Sequence, residues 1–329
     1  MKKLSVLLFL VFFMIFCGTS CVNEDDSDDI DRNLAILDGF TLDNYPKVDG
    51  STSTDPLNVL IACKLIGIKN QWTRGKNGMF IEPLLKSTNN IKKFEARVKS
   101  SQTHQSFINL IDKKADLILS ARKMSPDEKA HADSKGITLI ETPIALDAFI
   151  FIVNPENPVT SLTIEQIQDI YTGKITNWNE AGGDDLEIRP FLRNANSGSQ
   201  ELMESLVMKD IEGMWFQENP EVTSKKQIIY SMVPVIDDVA RYEDSICYTI
   251  YYFKETMLKN HRNVTKTIAI NGIYPNEENI KNNTYSLSTE VYAIIRSDLS
   301  ASSKAYKLYE FLQTELGKDV IRESGYLCN

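Results

Sequence analysis

The stretch NPENPVTSLTIEQIQDIYTGKITNWNEAGG, residues 154–183, contains the most strongly punctuated helix signal in the chain. Thr163 stands three residues before Gln166, which is the spacing of a capping box, and Gly173 follows as a stop signal. The apolar residues between these signals share one face of a helix: Ile164, Ile167, Ile170 and Tyr171. The pattern predicts an amphipathic helix that begins after Thr163 and ends at Gly173.

Strand-like and helical segments alternate on both sides of this block. The short apolar segments that indicate strands are ADLILSA, DAFIFIVNP, ICYTIYYF and VYAIIRS. A second amphipathic segment, SSKAYKLYEFLQTELGK, places Ala305, Leu308, Phe311 and Leu312 on one face and has Gly317 as its stop. This alternation predicts an α/β fold, and a body of this length usually forms two lobes.

The first twenty residues indicate export. Lys2 and Lys3 precede the apolar run LSVLLFLVFFMIF, and small residues lead to Cys21. A charged start and an apolar core of this length predict a signal peptide over residues 1–20. The small residues before the cysteine resemble the lipobox of bacterial lipoproteins, which implies lipidation of Cys21 and a membrane anchor. Simple cleavage without lipid is the alternative.

An acidic segment, VNEDDSDDID, follows Cys21 and contributes to a net charge of −9. Such a segment cannot bury a core, so we predict a tether over residues 21–46. The rest of the sequence has no basic stripe, which argues against nucleic acid as a partner. Cys63, Cys247 and Cys328 allow at most one disulfide and show no CxxC spacing, so we expect no metal and no cofactor.

Three segments place hydroxyl residues where a helix is expected to begin. They are DGSTSTDPL (residues 49–57), SSQTHQSFINLI (residues 100–111) and RNANSGSQEL (residues 193–202). Each is compatible with an ordinary capped helix. Each helix start would also present free N–H groups and the positive end of the helix dipole, which suit an anion, and Arg193 would add a charge. The segments alone leave both interpretations open.

In this order and spacing, the motifs resemble the periplasmic phosphate-binding proteins that serve bacterial ABC importers. The block at 154–183, ADLILSARKMS, NGIYPNEENIKNNTYSLSTEVYAII and the ending ESGYL extend the resemblance over nearly everything from Lys47 onward. The resemblance implies a type II periplasmic-binding-protein fold, α/β in class, with two lobes joined by crossing strands and an anion cleft between them. One lobe would comprise residues 47–149 and 286–329, and the other residues 150–285.

The resemblance also implies the ligand and its contacts. Phosphate, or a related tetrahedral oxyanion, would bind between the lobes. The implied binding residues are Thr54, Asp55 through its backbone N–H, Thr103, Arg193, Ser197, Gly198 and Ser199. The implied partners are an ABC importer permease and the membrane, reached through a lipid anchor. The protein would be a monomer of the cell envelope, on its periplasmic face or outer surface, and not an enzyme.

One departure from the family concerns Ala121, which occupies the position of the carboxylate that accepts phosphate's proton in well-known members. Without that acceptor, a fully deprotonated anion such as sulfate is excluded less strongly, so we expect relaxed selectivity. Arg122 is either a second positive charge at the site or a solvated side chain. Three acids are alternative sources of the acceptor: Asp55, Glu141 and Asp147.

Two other function classes compete with transport. An enzyme is disfavoured because the sequence has no HExxH, P-loop or GxSxG motif. Its histidines, His104, His131 and His261, lie in polar surroundings, and His104 alone stands near the expected site. The other competitor is a surface lipoprotein that uses the same fold for adhesion or another ligand. The tyrosines of ICYTIYYF suggest a carbohydrate platform, but the resemblance assigns them to strand core and lobe packing.

Overall fold

A computed structural model describes residues 29–75, 78–211 and 227–328 of the protein. The predicted signal peptide, the predicted lipidation site Cys21 and the first part of the predicted tether lie outside these residues. Among the described residues, no helix is both long enough and apolar enough to cross a membrane.

The described strands and helices alternate along the chain, as predicted for an α/β protein. The strands are β1 (Val48–Gly50), β2 (Asn70–Gly75), β3 (Gly78–Pro83), β4 (Leu117–Ser120), β5 (Leu139–Val153), β6 (Ser161–Leu162), β7 (Arg189–Arg193), β8 (Gln227–Ile229), β9 (Ser245–Ile250), β10 (Lys266–Thr267), β11 (Ala269–Ile270) and β12 (Ser288–Arg296). The α-helices are α1 (Asp55–Ile66), α2 (Thr88–Arg97), α3 (Thr103–Ile111), α4 (Pro126–Lys135), α5 (Ile164–Thr172), α6 (Gly198–Leu202), α7 (Met232–Arg241), α8 (Glu277–Lys281), α9 (Lys304–Phe311) and α10 (Glu315–Glu323).

Most strands join one mixed sheet with the order β1-β4-β12-β5-β9-β7-β8, and β10 adds to β5. At one end β1 and β4 run parallel, and at the other β7 runs parallel to both β8 and β9. Between them, β12 is antiparallel to both β4 and β5. The separate β2–β3 hairpin and the β6–β11 pair complete the strand pairing that the structure describes. The predicted α/β class is confirmed.

Strand β5 changes partner halfway along its length. Its residues 139–148 pair with β12, whereas residues 149–153 pair with β9. Asp147 lies just before this change and is buried, and its Oδ1 accepts the N–H groups of Ala148 and Tyr252. A single strand therefore connects the two halves of the sheet. The division into lobes at residues 149–150 and 285–286 stays a prediction.

The capping signals predict one helix correctly and misplace the end of another. Helix α5 has the capping box of Thr163 and Gln166 and ends at Gly173, as predicted. The second amphipathic segment is instead split, because α9 ends at Phe311 and Thr314 caps a new helix, α10. Gly317 lies inside α10, where an added Cβ would stand 2.2 Å from the carbonyl oxygen of Phe311. This glycine permits a close approach of two helices and is not a stop.

The predicted tether is wrong for residues 29–46, which pack against the body. The side chains of Phe40, Leu42 and Tyr45 are buried in the main core. The carboxylate of Asp29 accepts hydrogen bonds from the backbone N–H groups of residues 86 and 87. The acidic composition concealed these apolar residues, which follow the densest run of acids.

The core around β5 and β9 is aromatic. Phe149, Phe151, Tyr171 and Tyr248 have ring centroids between 5.3 and 6.4 Å apart in their contacting pairs. The tyrosines of ICYTIYYF are thus mainly core residues, although β9 ends at Ile250 and the later ones belong to a helical segment. The three cysteines of the described residues are free thiols, and Cys63 is buried as expected.

Candidate functional site

The carboxyl ends of the parallel strands open into one cavity of about 730 Å³. Ser51 follows β1 and Ala121 follows β4, and both line it. From the other end of the sheet, Arg193 ends β7, Ile250 ends β9 and Tyr230 follows β8, and these also line it. Ligands in open α/β sheets bind at such carboxyl ends, where loops and helix starts converge. The sheet topology therefore identifies this cavity as the candidate site.

Two walls of the cavity carry the polar groups. The β1 wall comprises Ser51, Thr52, Ser53, Asp55, Ser100, Gln102, Thr103, His104, Gln105 and Ala121. The β7 wall comprises residues 193–199 and 230–233.

The first helix start of the β1 wall is a short 3₁₀ turn, Thr52–Thr54, that leads directly into α1. Thr54 and Asp55 donate their N–H groups to the carbonyl oxygens of Ser51 and Thr52. The N–H groups of Thr52 and Ser53 have no hydrogen-bond partner in the described part of the chain, as expected for the first turn of a helix. Those two groups are available to a ligand.

The second helix start in this wall is that of α3. Asp49, on β1, accepts the N–H group of Ser101 at 2.8 Å and so holds this loop against the strand. Gln102, the residue before α3, has φ 71° and ψ 162°, a conformation that costs a non-glycine residue about 1–3 kcal/mol. Such strain is found where a loop positions functional groups. Here the residues that follow the strained position, Thr103 to Gln105, line the cavity.

The β7 wall contributes the third helix start, that of α6. Ser197 caps this helix by accepting the N–H group of Gln200 at 3.2 Å. The N–H groups of Gly198 and Ser199 have no partner in the ranges that the structure describes. Tyr248 accepts the N–H group of Arg193 at 3.0 Å and donates to the side chain of Gln200, which locks α6 to β7. The helix mouth and the arginine thus form one rigid unit.

Arg193 is the buried positive charge of the cavity. Only 4 % of the residue is exposed, and its Nε donates to the carbonyl oxygen of Ile229 at 2.9 Å. Its two Nη groups have no hydrogen-bond or ion-pair partner among the described residues. Burial lowers the pKa of Arg193 from its ordinary value. An uncompensated buried guanidinium of this kind favours an anion as its partner.

The structure brings six of the seven predicted binding residues to the cavity: Asp55, Thr103, Arg193, Ser197, Gly198 and Ser199. Thr54 does not line it, because its hydroxyl donates to the carbonyl oxygens of Ser51 and Leu119 at 3.0 and 2.8 Å. The predicted N–H donor of Asp55 is also already used within the 3₁₀ turn. Both residues support the loop, and the free N–H groups stand one to three residues earlier.

Three acids were considered as alternative acceptors of the ligand's proton, and they differ in whether they line the cavity. Ala121 is buried and lines the cavity, so no acid stands at that point. Glu141 accepts the N–H group of Met124, and neither Glu141 nor Asp147 lines the cavity. Asp55 does line it, and burial raises the pKa of its carboxyl group. Of the three acids considered, only Asp55 is in a position to face a ligand.

Arg122 is neither a second positive charge lining the cavity nor a solvated side chain, so both predictions for it are wrong. Arg122 is buried, and its Nη1 and Nη2 donate to the two carboxylate oxygens of Glu128, each at 2.8 Å. His104 lines the cavity, but its Nδ1 stands 3.0 Å from Oε1 of the same carboxylate. Arg122 is therefore a structural charge with its own partner.

Ser51, Ser53 and Gln102 line the cavity but were not singled out from the sequence as binding residues. A signal for Ser51 was present, since it immediately follows a strand that a parallel sheet would place beside β4. The strained φ of Gln102 has no sequence signature, because glycine is the usual residue in that conformation. Across the described ranges, no cluster of histidine, cysteine and acidic residues is suited to a metal ion.

Comparison with protein families supports this architecture. A family profile described as PBP superfamily domain matches residues 77–315, which is most of the chain. A phosphate-binding protein PstS from Borreliella burgdorferi is 27% identical over 189 residues, covering 57% of this chain and 65% of the relative. A PstS from Staphylococcus epidermidis is 25% identical over 246 residues, covering 71% of each chain. Both relatives are described as phosphate-binding proteins.

Solved structures show the same fold. A Clostridium perfringens structure, described as a phosphate ABC transporter substrate-binding protein with bound phosphate, has a TM-score of 0.60 at 22% identity and covers 86% of this chain and 98% of its own. An ABC-type phosphate transport receptor from Vibrio cholerae has a TM-score of 0.59 at 24% identity and covers 86% and 99%. The type II fold class predicted from the sequence is confirmed. The chain belongs to the PBP superfamily and is a distant homologue of the PstS phosphate-binding proteins of ABC transporters.

Proposed function

We propose that this protein is an extracytoplasmic solute-binding protein that captures phosphate, or a related tetrahedral oxyanion, for an ABC importer. The observation that carries the proposal is the convergence of three helix starts and Arg193 on one cavity. Unpaired N–H groups at helix starts stabilise negative charge without adding net charge, and a guanidinium forms strong charge-assisted pairs with oxyanions. The protein is a binder and not an enzyme on this proposal.

The electrostatics of the cavity favour an external anion over an internal one. Arg193 has no carboxylate partner in the described residues, so a ligand would not have to displace one. The neutral donors stand on both walls, whereas Arg193 stands on one. A tetrahedral anion has oxygens in every direction and can therefore bridge the two walls.

The remaining parts of the proposal concern motion and location. The two lobes, residues 47–149 with 286–329 and residues 150–285, would close on the ligand by bending where β5 changes partner. A lipid on Cys21 would hold the protein at the cell envelope as a monomer near its permease. Detergent partitioning of the mature protein, and its loss in Cys21→Ala, tests the anchor. A wild type recovered without lipid would contradict it.

Titration calorimetry of the tag-free mature protein with phosphate, arsenate and sulfate tests the binding function. We expect saturable binding of at least one of these anions and a melting temperature that rises with its concentration. X-ray scattering should show a smaller radius at saturation. An unchanged melting temperature and an absence of binding heat with all three anions would contradict the proposed function.

A further inference from the structure

Ser51 differs from the other hydroxyl residues of the β1 wall in how its hydrogen bonds are used. It follows β1 directly, only 2 % of the residue is exposed, and it lines the cavity. Its backbone is held at both ends, because its N–H donates to Leu119 and its carbonyl oxygen accepts the N–H group of Thr54, each at 3.0 Å. The position of its side chain is therefore well defined.

The hydroxyl oxygen of Ser51 already accepts two hydrogen bonds. Thr103 Oγ1 donates to it at 2.9 Å, and the backbone N–H of Ala121 donates to it at 3.2 Å. A serine hydroxyl has two lone pairs and one hydrogen. Both lone pairs are occupied, and no described residue accepts the hydrogen. The only capacity that Ser51 retains is that of a donor.

Three neighbouring hydroxyl groups, those of Thr54, Ser100 and Thr103, already donate their hydrogens within the protein. Thr54 donates to the carbonyl oxygens of Ser51 and Leu119, and Ser100 donates to that of Ser51 at 3.3 Å. Thr103 donates to Ser51, and an added Cβ at Gly198 would stand 2.7 Å from Thr103 Oγ1. The hydroxyl of Thr103 is thus enclosed between Ser51 and the start of α6, which leaves little room for a ligand oxygen.

We propose that Ser51 binds a ligand oxygen directly, as an obligate donor, and that Thr103 is a positioning residue that acts through Ser51. This inference rests on the proposed function and narrows its ligand class. A group that meets Ser51 must be an acceptor, as every oxygen of a deprotonated oxyanion is. A ligand O–H or N–H at that point would find no acceptor, so neutral polyols and amines are disfavoured there.

Calorimetry of point variants with inorganic phosphate, repeated with sulfate, tests the role of Ser51. A hydrogen bond to a charged group is worth about 1.5–3 kcal/mol, so Ser51→Ala should bind the anion about tenfold more weakly or worse. Ser100→Ala is the matched control, because it removes a hydroxyl from the same wall whose hydrogen already serves the backbone. It should bind within about twofold of the wild type. Unliganded melting temperatures identify any variant that fails to fold, and Ser51→Cys, a weak donor of similar shape, then replaces Ser51→Ala.

Variants of Thr103 test the positioning role. Thr103→Val should weaken binding, whereas Thr103→Ser keeps the hydroxyl and should restore it. Adding Thr103→Val to Ser51→Ala should cause no further loss, because the threonine acts only through the serine. Wild-type affinity in Ser51→Ala would overturn the inference, and so would additive losses, which would indicate that Thr103 contacts the ligand itself. Failure of the wild type to bind either anion would instead contradict the proposed function, and the two failures are therefore distinguishable.

Discussion

Arg122 and Arg193 are both almost fully buried, yet they stand in opposite electrostatic situations. Arg122 has 5 % of its surface exposed and makes a two-pronged ion pair with Glu128. Arg193 has 4 % exposed and holds only a backbone carbonyl with its Nε, while its Nη groups are without a partner in the described residues. The charge of the first arginine is compensated by a carboxylate of the protein, although its Nε has no partner among the described residues. The charge of the second has no such counter-charge there.

This difference distinguishes a structural charge from a binding charge better than burial or sequence position does. Glu128 belongs to the capping box of α4 and accepts the N–H group of Ser125 as well as the guanidinium. Removing one partner of such a buried pair leaves an uncompensated charge. For Arg193 the charge is uncompensated by the described residues, and on the proposed function an anion would compensate it. We therefore expect stability to depend on one arginine and affinity to depend on the other.

The largest expected effect is on stability. Glu128→Gln should lower the free energy of unfolding by about 3–5 kcal/mol, because it leaves Arg122 buried without a counter-charge. Urea denaturation measures the change. Asp127→Ala is the matched control, since it removes a neighbouring but exposed acid from the same helix turn and should cost about 0.5 kcal/mol or less. Equal stability of Glu128→Gln and wild type would remove the distinction between the two arginines.

The next effect is on affinity. Loss of a partner from a buried charge-assisted pair costs about 2–5 kcal/mol, so Arg193→Ala should weaken oxyanion binding at least roughly thirtyfold. Its unfolding free energy without ligand should fall far less than that of Glu128→Gln. Arg241→Ala controls for net charge, because Arg241 has an exposed side chain and does not line the cavity. Undiminished affinity in Arg193→Ala would remove the site assignment itself.

Asp147 is a buried acid, and its effect on stability should depend on pH. Its Oδ2 has no partner among the described residues, and burial raises the pKa of Asp147 from 3.8 to about 7. An acid whose pKa is raised on folding binds more protons in the folded state, so its contribution to stability falls as pH rises from about 4 to 7. Asp147→Asn should flatten this slope, by about 1.4 kcal/mol for each unit by which folding raises the pKa of Asp147. If wild type and Asp147→Asn show the same dependence of stability on pH, the raised pKa of Asp147 is contradicted.

The smallest expected effect is on selectivity. Ala121→Asp should weaken sulfate binding more than phosphate binding, because only a protonated oxyanion can donate to the new carboxylate. Competition titrations with the two anions measure the ratio, which we expect to shift by about tenfold. Ala121→Asn controls for size without charge. A wild type that already rejects sulfate would contradict relaxed selectivity, and Asp55→Asn would then test whether the acid that lines the cavity supplies the acceptor.

Local sequence signals predicted the elements of the fold and the approximate location of the site. The capping box at Thr163 and the hydroxyl-rich starts of α1, α3 and α6 depend on residues within one turn of each other, so they are visible in sequence. Arg193 and the segment near Ser51 line the same cavity because of the order of the strands in the sheet. That order could not be read from periodicity, and the resemblance implied only two lobes joined by crossing strands with an anion cleft between them.

The errors share a physical cause, which is that the folded backbone decides which groups pair. Arg122 could not be recognised as structural, because its partner is identified only when α4 folds back onto the strand end. Thr54 and Thr103 are equally plausible donors until the acceptor of each hydroxyl is known. Composition also misled for residues 29–46, where three buried aromatic and aliphatic side chains outweigh the surrounding acids. Hydrogen-bond partners decide these cases, and a sequence does not display them.

The central position of β12 has a consequence for how the protein is made. This strand comes from near the end of the chain, yet it lies between β4 and β5. It pairs with β5 over residues 288–296 and with β4 over residues 292–295. Until β12 has been synthesised and inserted, no hydrogen-bonded strand joins β4 to β5. The positions of the two cavity walls relative to each other are then not fixed by the sheet. A chain that is still being synthesised therefore exposes unpaired apolar strands almost to its completion. Assembly of the cavity therefore becomes a late event, which is completed only when β12 joins the sheet.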